Sequence, residues 1–293
     1  MINYSIKDLE KLTGIKAHTI RIWEKRYNIV SPLRSNTNIR SYTDGDLKRL
    51  LNVSILNRNG YKISAIVGLT RDEINKYVLK ATTTSMSYDS QIEHLIMAML
   101  DMDETRFEES ISNNILRLGF DETVSNIIFP FLAKVGLLWQ IGTINPSHEH
   151  FVSNLIRQKL IMAIDAESDS MLSNNKTFFL FLPEGELHEL SLLFYAYIIK
   201  RRGHRVIYLG QNLPIEYLQQ AMSITPPDFL VTVITSALSG NELRTYVRRL
   251  SEYFPDQKLL LGGNQIGDLA DLHIKNVYTL KMKSDLLNIL YNI

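Results

Sequence analysis

The sequence predicts a multidomain chain: an α-rich winged helix-turn-helix, a four-helix bundle and an α/β doubly wound, Rossmann-like parallel sheet. Three observations lead there. Near the start, a short helix, a glycine turn and a second helix follow in close succession within a basic segment. The middle of the chain carries apolar residues at helical spacing. The last third alternates short apolar runs with helical stretches.

The first part spans residues 1–79. Tyr4 leads into a short helix starting near Ser5, and Thr13-Gly14-Ile15 turns the chain. Lys16–Tyr27 reads as a second helix, with Ile20, Trp23 and Tyr27 forming an anchoring stripe. Pro32–Arg40 is a polar loop suited to a β-wing. Tyr42-Thr43-Asp44-Gly45-Asp46-Leu47 opens another helix, with Thr43 capping, Asp46 answering it, and Leu47, Leu50, Leu51 and Ile55 as its apolar face.

Residues 80–88 are read as a linker, being rich in Thr and Ser without an apolar period. The bundle occupies 89–173. Ile92, Leu95, Ile96, Met99 and Leu100, then Val124, Ile127, Ile128 and Phe131, repeat at helical spacing. Asn145-Pro146-Ser147 breaks the pattern and starts the last helix, with Ser147 as its cap.

Residues 174–293 form the third part. Strands are expected at Thr177–Pro183, Val206–Leu209, Phe229–Ile234, Lys258–Leu261 and Val277–Leu280. Between them fall helices at Leu187–Arg202, from Pro214, near Asn241–Tyr253, and at the end. Ligands on such sheets lie at the carboxyl ends of the strands. Glu186, His188 and Ser191, then Ser236 and Leu238, then Gly262 and Gly263, all follow strands.

Composition narrows the function. The 293 residues are 45% apolar and 22% charged, with no cysteine, which excludes disulfides and thiolate chemistry. No apolar run approaches the ~20 residues of a membrane span, and no secretory leader is visible, so a cytoplasmic protein with no membrane partner is expected. Residues 1–70 hold twelve Lys/Arg against five Asp/Glu, a balance of +7, while the remainder balances at −6. A basic head on an acidic body points to a polyanion partner. Neither a phosphate-binding Walker loop nor a Gly-x-Gly-x-x-Gly run is present, so nucleotide chemistry is unsupported.

Tyr4–Tyr42 resembles the MerR family, through Thr-Ile-Arg-Ile-Trp-Glu-Lys-Arg-Tyr (19–27) and Arg40-Ser-Tyr42. The resemblance implies double-stranded operator DNA as partner. Lys16, His18, Thr19, Arg21, Arg26 and Tyr27 are the candidate contacts on the second helix. Arg40 and Tyr42 resemble wing residues that hold phosphates.

The third part resembles the cobalamin-binding domain that places a protein histidine on cobalt. An imidazole suits cobalt, making His188 the metal ligand. Glu186 would hold the ring's other nitrogen. Ser191 stands where the pattern has glycine, with Ser236, Leu238, Gly262 and Gly263 leaving a slot for the displaced nucleotide tail. Trp139, nine residues, then Glu149-His150 is similar to bundles that cap adenosylcobalamin in light-sensing MerR-type repressors. There the three side chains meet the adenosyl group. Gln140 departs from the histidine that those sensors carry after the tryptophan.

These resemblances imply a repressor, not an enzyme, controlled by adenosylcobalamin and by light through its homo-oligomer, a dimer or tetramer. The ligand would bridge bundle and sheet domain. The alternative is a cofactor-independent MerR-type regulator whose sensing domains serve oligomerisation or bind a partner protein.

Overall fold

A computed structural model describes residues 4–34, 39–70, 73–74, 76–78, 87–140, 144–167, 175–235, 240–269 and 273–293. The chain divides into two compact units, Met1–Leu155 and Ile156–Ile293.

In the first unit, α1 (Ile6–Thr13) starts at Ser5. The Ser5 hydroxyl accepts from the Asp8 N–H and the Asp8 carboxylate accepts from the Ser5 N–H, satisfying donors that a helix start leaves over. Gly14 closes α1 at φ +69°, a left-handed conformation natural to glycine. α2 (Ala17–Tyr27) follows at once. Its first N–H donates to Glu10 of α1, a cap that Lys16 cannot supply. Of the expected anchoring stripe only Ile20 is fully enclosed; Trp23 and Tyr27 are half-buried. β1 (Leu33–Arg34) and β2 (Arg40–Ser41) pair antiparallel as a wing. A bridge between Tyr4 and Tyr42 ties the start of the chain to it. α3 (Asp44–Arg58) carries the expected Thr43–Asp46 capping box, and Leu47, Leu50, Leu51 and Ile55 are completely buried. A single turn, α4 (Ile63–Ile66), comes next.

The bundle comprises α5 (Tyr88–Leu100) and α6 (Glu104–Leu118), a third helix and α9 (Pro146–Ala166). The third helix runs from α7 (Phe120–Thr123) through a π-turn (Val124–Ile128) into α8 (Phe129–Gln140). The predicted apolar positions line its core, except that Leu100 is only partly buried. α9 is capped by Asn145, not by Ser147. The Asn145 side-chain oxygen accepts from the N–H groups of Ser147 and His148, with Pro146 in the first helical position, where its missing N–H costs nothing.

Within this unit α3 seats on α5. Lys48 Nζ donates to the Leu100 carbonyl and pairs with Asp101 at one end. At the other, Arg58 pairs with Glu93 at 3.2 Å and donates to the Thr13 carbonyl, which ends α1. Ser54 also donates to Glu93. The Glu93 side chain is wholly buried and its Oε2 has no hydrogen-bond partner. Burial pushes its carboxyl up to about 7, against the pull of Arg58, Lys134 and Ser54. Between its unfolded value of 4.5 and about 7, the folded chain keeps a proton that the unfolded chain has lost. Stability therefore falls as pH rises through this window, by roughly 1.4 kcal/mol per unit, and the cost is complete above it. Glu93→Gln is expected to flatten that fall. Trp23 and Trp139 both lie in the first unit, so tryptophan-monitored urea denaturation at pH 5 and pH 8 reads it. An equal decline in wild type and variant would refute the assignment.

The second unit is a five-stranded parallel sheet ordered β4-β3-β5-β6-β7. Its strands are β3 (Thr177–Pro183), β4 (Arg205–Leu213), β5 (Phe229–Val233), β6 (Lys258–Gly262) and β7 (Val277–Leu280). α10 (Leu190–Arg201), α11 (Ile215–Ile224), α12 (Gly240–Tyr253) and α13 (Lys283–Tyr291) connect or follow them. β3, an interior strand, is buried over almost its whole length, as its unbroken apolar run requires. From β3 the chain steps outward to β4, then returns to place β5 on the other side. This reversal sets a crevice at the carboxyl ends of β3 and β5. α10 starts at Leu190, later than the apolar spacing from Leu187 suggests, because the residues before it are held as a loop.

Candidate nucleic-acid interface and cofactor site

α2 and the wing enclose a groove of about 620 Å³ whose charged lining is Arg21, Glu24, Lys25, Arg34 and Arg40. Glu24 organises it. Its carboxylate accepts from Arg40 Nε at 3.1 and 3.2 Å, from Arg34 Nη2 at 3.4 Å and from the Tyr42 hydroxyl at 3.4 Å. One acid on the second helix thus aligns two cations of the wing. Tyr42, expected beside Arg40 at phosphate, has its side chain fully buried. Burial first, then the Glu24 charge, pushes its phenol up to about 12. Tyr42 anchors the wing.

Arg21, Arg26 and His18 are exposed, and Thr19 is half-buried. Lys16 is exposed and paired with Glu10 at 3.1 Å. The Arg26 guanidinium lies 5.5 Å from the Tyr27 ring centre, so these two pack on each other. Lys25, Arg34 and Glu24 were missing from the sequence-derived set. Arg34 had a signal, since a hairpin closing on the 32–40 loop sets it opposite Arg40. Arg21→Ala and Lys25→Ala are each expected to weaken operator binding and to lower the slope of log K against log salt by about one. A slope left unchanged by either substitution would show that its cation does not meet phosphate.

At the carboxyl edge of the sheet, Glu186 is buried and spans the crevice between β3 and β5. Its Oε1 accepts from the N–H groups of Leu187 and His188, both at 3.0 Å, and lies 2.6 Å from His188 Nδ1. Its Oε2 accepts from the Thr235 N–H at 2.8 Å. β4 braces the same loop, as Asn212 accepts from the Gly185 N–H and Gln211 donates to the Leu187 carbonyl. The His188 side chain is 60% exposed. With Nδ1–H donating to the carboxylate, the ring's lone pair falls on Nε2, the tautomer that a metal ligand needs. The residues present fit such a group: His188, steadied by Glu186, would offer an imidazole nitrogen to a corrinoid cobalt.

Beside it, Glu189 is buried, accepting from Arg157 Nε of α9 and from the Tyr208 hydroxyl of β4 at 2.8 Å. Sequence reasoning missed this network, which joins three separate elements. Ser191 lies half-buried in the first turn of α10. Ser236 and Leu238 lie outside the described residues. The glycine pair does not leave open space. A Cβ on Gly263, at φ +114°, would stand 2.1 Å from the Ile234 carbonyl oxygen. One on Gly262 would stand 2.8 Å from the ring and hydroxyl of Tyr195.

In the first unit Trp139, near the end of α8, is 53% exposed. Glu149 and His150 share the first turns of α9, with His150 Nδ1 and Glu149 Oε2 2.8 Å apart. Ser153 donates to the other Glu149 oxygen at 2.6 Å, fixing the carboxylate. The side chain of Gln140 lies outside the described residues.

Residues 4–73 match the MerR HTH regulatory protein family, and residues 91–163 match the B12 binding domain family. The HTH-type transcriptional repressor CarH of Myxococcus xanthus is 27% identical over 258 residues, covering 86% of this chain and 85% of that protein. The repressor CarA of the same organism is 25% identical over 277 residues, covering 94% and 90%. In fold, the monomethylamine corrinoid protein of Methanosarcina barkeri superposes with a TM-score of 0.53 at 13% identity, over 71% of this chain and all of that one.

Proposed function

The chain is a MerR-family regulator that carries a B12-binding domain, and from that premise we propose that it is a cobalamin-dependent repressor of transcription. The α2–wing groove would read operator DNA, with Arg21 and Lys25 from the helix and Arg34 and Arg40 aligned by Glu24. His188 would ligate the cobalt. The observation that carries this reading is Glu186, one buried carboxylate that fixes the His188 ring and also ties the β3 loop to the β5 loop.

Bound adenosylcobalamin would supply a cobalt centre with a light-labile upper group. Trp139, Glu149 and His150 would meet that group in the dark and lose it on illumination. The exposure of Trp139 and His150 and the fixed Glu149 carboxylate support this assignment. A ligand biases a protein only through contacts that differ between its states, and these three residues supply such a difference. Homo-oligomers held in the dark would bind operators through several heads at once. The reading is of a regulator, supported by two relatives named as repressors. Operator DNA as partner sets its place in the cytoplasm.

A second reading, a regulator that works without cofactor, is favoured by Tyr195 and Ser191, which crowd the expected tail slot. Gel shifts on a candidate promoter, dark and illuminated, with and without adenosylcobalamin, separate the two. The proposal expects a dark, cofactor-dependent shift that light reverses. Shifts indifferent to both would sink it and leave the second reading.

A further inference from the structure

We propose that Tyr195 decides which corrinoids this chain accepts, because its ring fills the space beside Gly262 into which a lower nucleotide tail would pass. The inference rests on the cobalamin reading above and goes further, by naming the preferred ligand class: corrinoids that lack the tail.

Gly262 ends β6 at the same carboxyl edge as His188. On its α-carbon side the Tyr195 Cε2 and Oη would both lie 2.8 Å from an added Cβ, and Cζ 3.2 Å. The space vacated by a missing side chain is therefore already taken by the tyrosine. Gly263 is likewise accounted for internally, by the Ile234 backbone. Neither glycine needs a ligand to explain it.

Tyr195 stands on α10, the helix that follows the His188 loop, one turn beyond Ser191. Residues four apart on a helix share a face, so the serine hydroxymethyl and the tyrosine ring line the same side. Both are half-buried. A corrinoid with a nucleotide tail must turn the ring out and give up its packing. A corrinoid without one needs only His188, whose loop is held in place by Glu186, Asn212 and Gln211.

The test uses the full-length chain and two ligands, adenosylcobalamin and adenosylcobinamide, which has the same ring and cobalt without the nucleotide. Wild type is expected to bind cobinamide more tightly, by about tenfold, which corresponds to roughly 1.4 kcal/mol. Tyr195→Ala should tighten cobalamin by about that factor and move cobinamide less than about twofold. Tyr195→Phe keeps the ring and should keep the preference. The wild-type ratio and the phenylalanine variant decide the matter even if the alanine variant folds poorly, which a circular-dichroism melt would reveal. A wild-type preference for cobalamin, or equal weakening of both ligands by Tyr195→Ala, overturns the Tyr195 role alone. If neither ligand binds any of the three proteins, the cobalamin reading falls with it.

Discussion

Replacing His188 with alanine is expected to remove the imidazole-ligated cobalt spectrum and to weaken corrinoid retention by more than about a hundredfold. The magnitude follows from ligand chemistry. Losing only the carboxylate behind a ligating histidine costs about 10–100-fold in affinity. Losing the ligand itself must cost more. Glu186→Gln should fall inside that lower range, since the amide keeps an acceptor for the loop N–H groups but not the charge beside the ring. The substitution at 188 should cost only about 1 kcal/mol of stability, because the side chain is 60% exposed and Glu186 Oε1 keeps the N–H groups of residues 187 and 188. Absorption after desalting reads the first effect and thermal melting the second. An unaltered spectrum in His188→Ala would end the assignment.

Gly263→Ala should destabilise the second unit by about 4 kcal/mol or more, a size reserved for substitutions with a named steric cause. Two causes act together. At φ +114° an L-residue is strained whatever surrounds it. Its Cβ would also stand 2.1 Å from a backbone oxygen, Ile234 O, and 2.7 Å from the carbon that bears it. That backbone cannot easily retreat, since the Ile234 N–H donates to the Gly262 carbonyl at 2.9 Å and the residue is buried. The three atoms nearest a Cβ on Gly262 all belong to the Tyr195 side chain, so Gly262→Ala should cost much less, and Tyr195→Ala should relieve it. A far-ultraviolet circular-dichroism melt of the single and double variants checks both statements. Gly263→Ala melting with wild type would refute the steric account.

Local signals proved readable. The Thr43–Asp46 capping box is built from residues three apart, α1 does start beside Ser5, and the buried leucines of α3 follow their spacing. Non-local ones misled. Leu187 continues the apolar rhythm of α10, yet the Glu186 carboxylate takes the N–H groups of residues 187 and 188 and keeps them out of the helix. Tyr42 looks like a surface wing residue until the Tyr4 bridge and Glu24 draw it inside. Ser147 is a good capping residue beaten by Asn145, because Pro146 prefers the first helical position. At the proposed cofactor site, the Glu186–His188 pairing was legible because it lies within one loop. Tyr195 was not: its partner, Gly262, sits on another element, and an aromatic residue in a helix ordinarily reads as core. The Arg157–Glu189–Tyr208 network was hidden for the same reason.

Because α3 rests along α5 and is pinned near both its ends, by Lys48 and by Arg58, the operator reader and the bundle behave as a single lever. Arg58 also grips the carbonyl at the close of α1, so the fulcrum reaches the turn that aims the second helix. A tilt of α5 is therefore expected to reach the α2–wing groove through these contacts, independently of the peptide that joins the two segments. Lengthening that peptide by a few residues within 80–86 should therefore leave the operator response intact, whereas severing the lever at Arg58 should uncouple it.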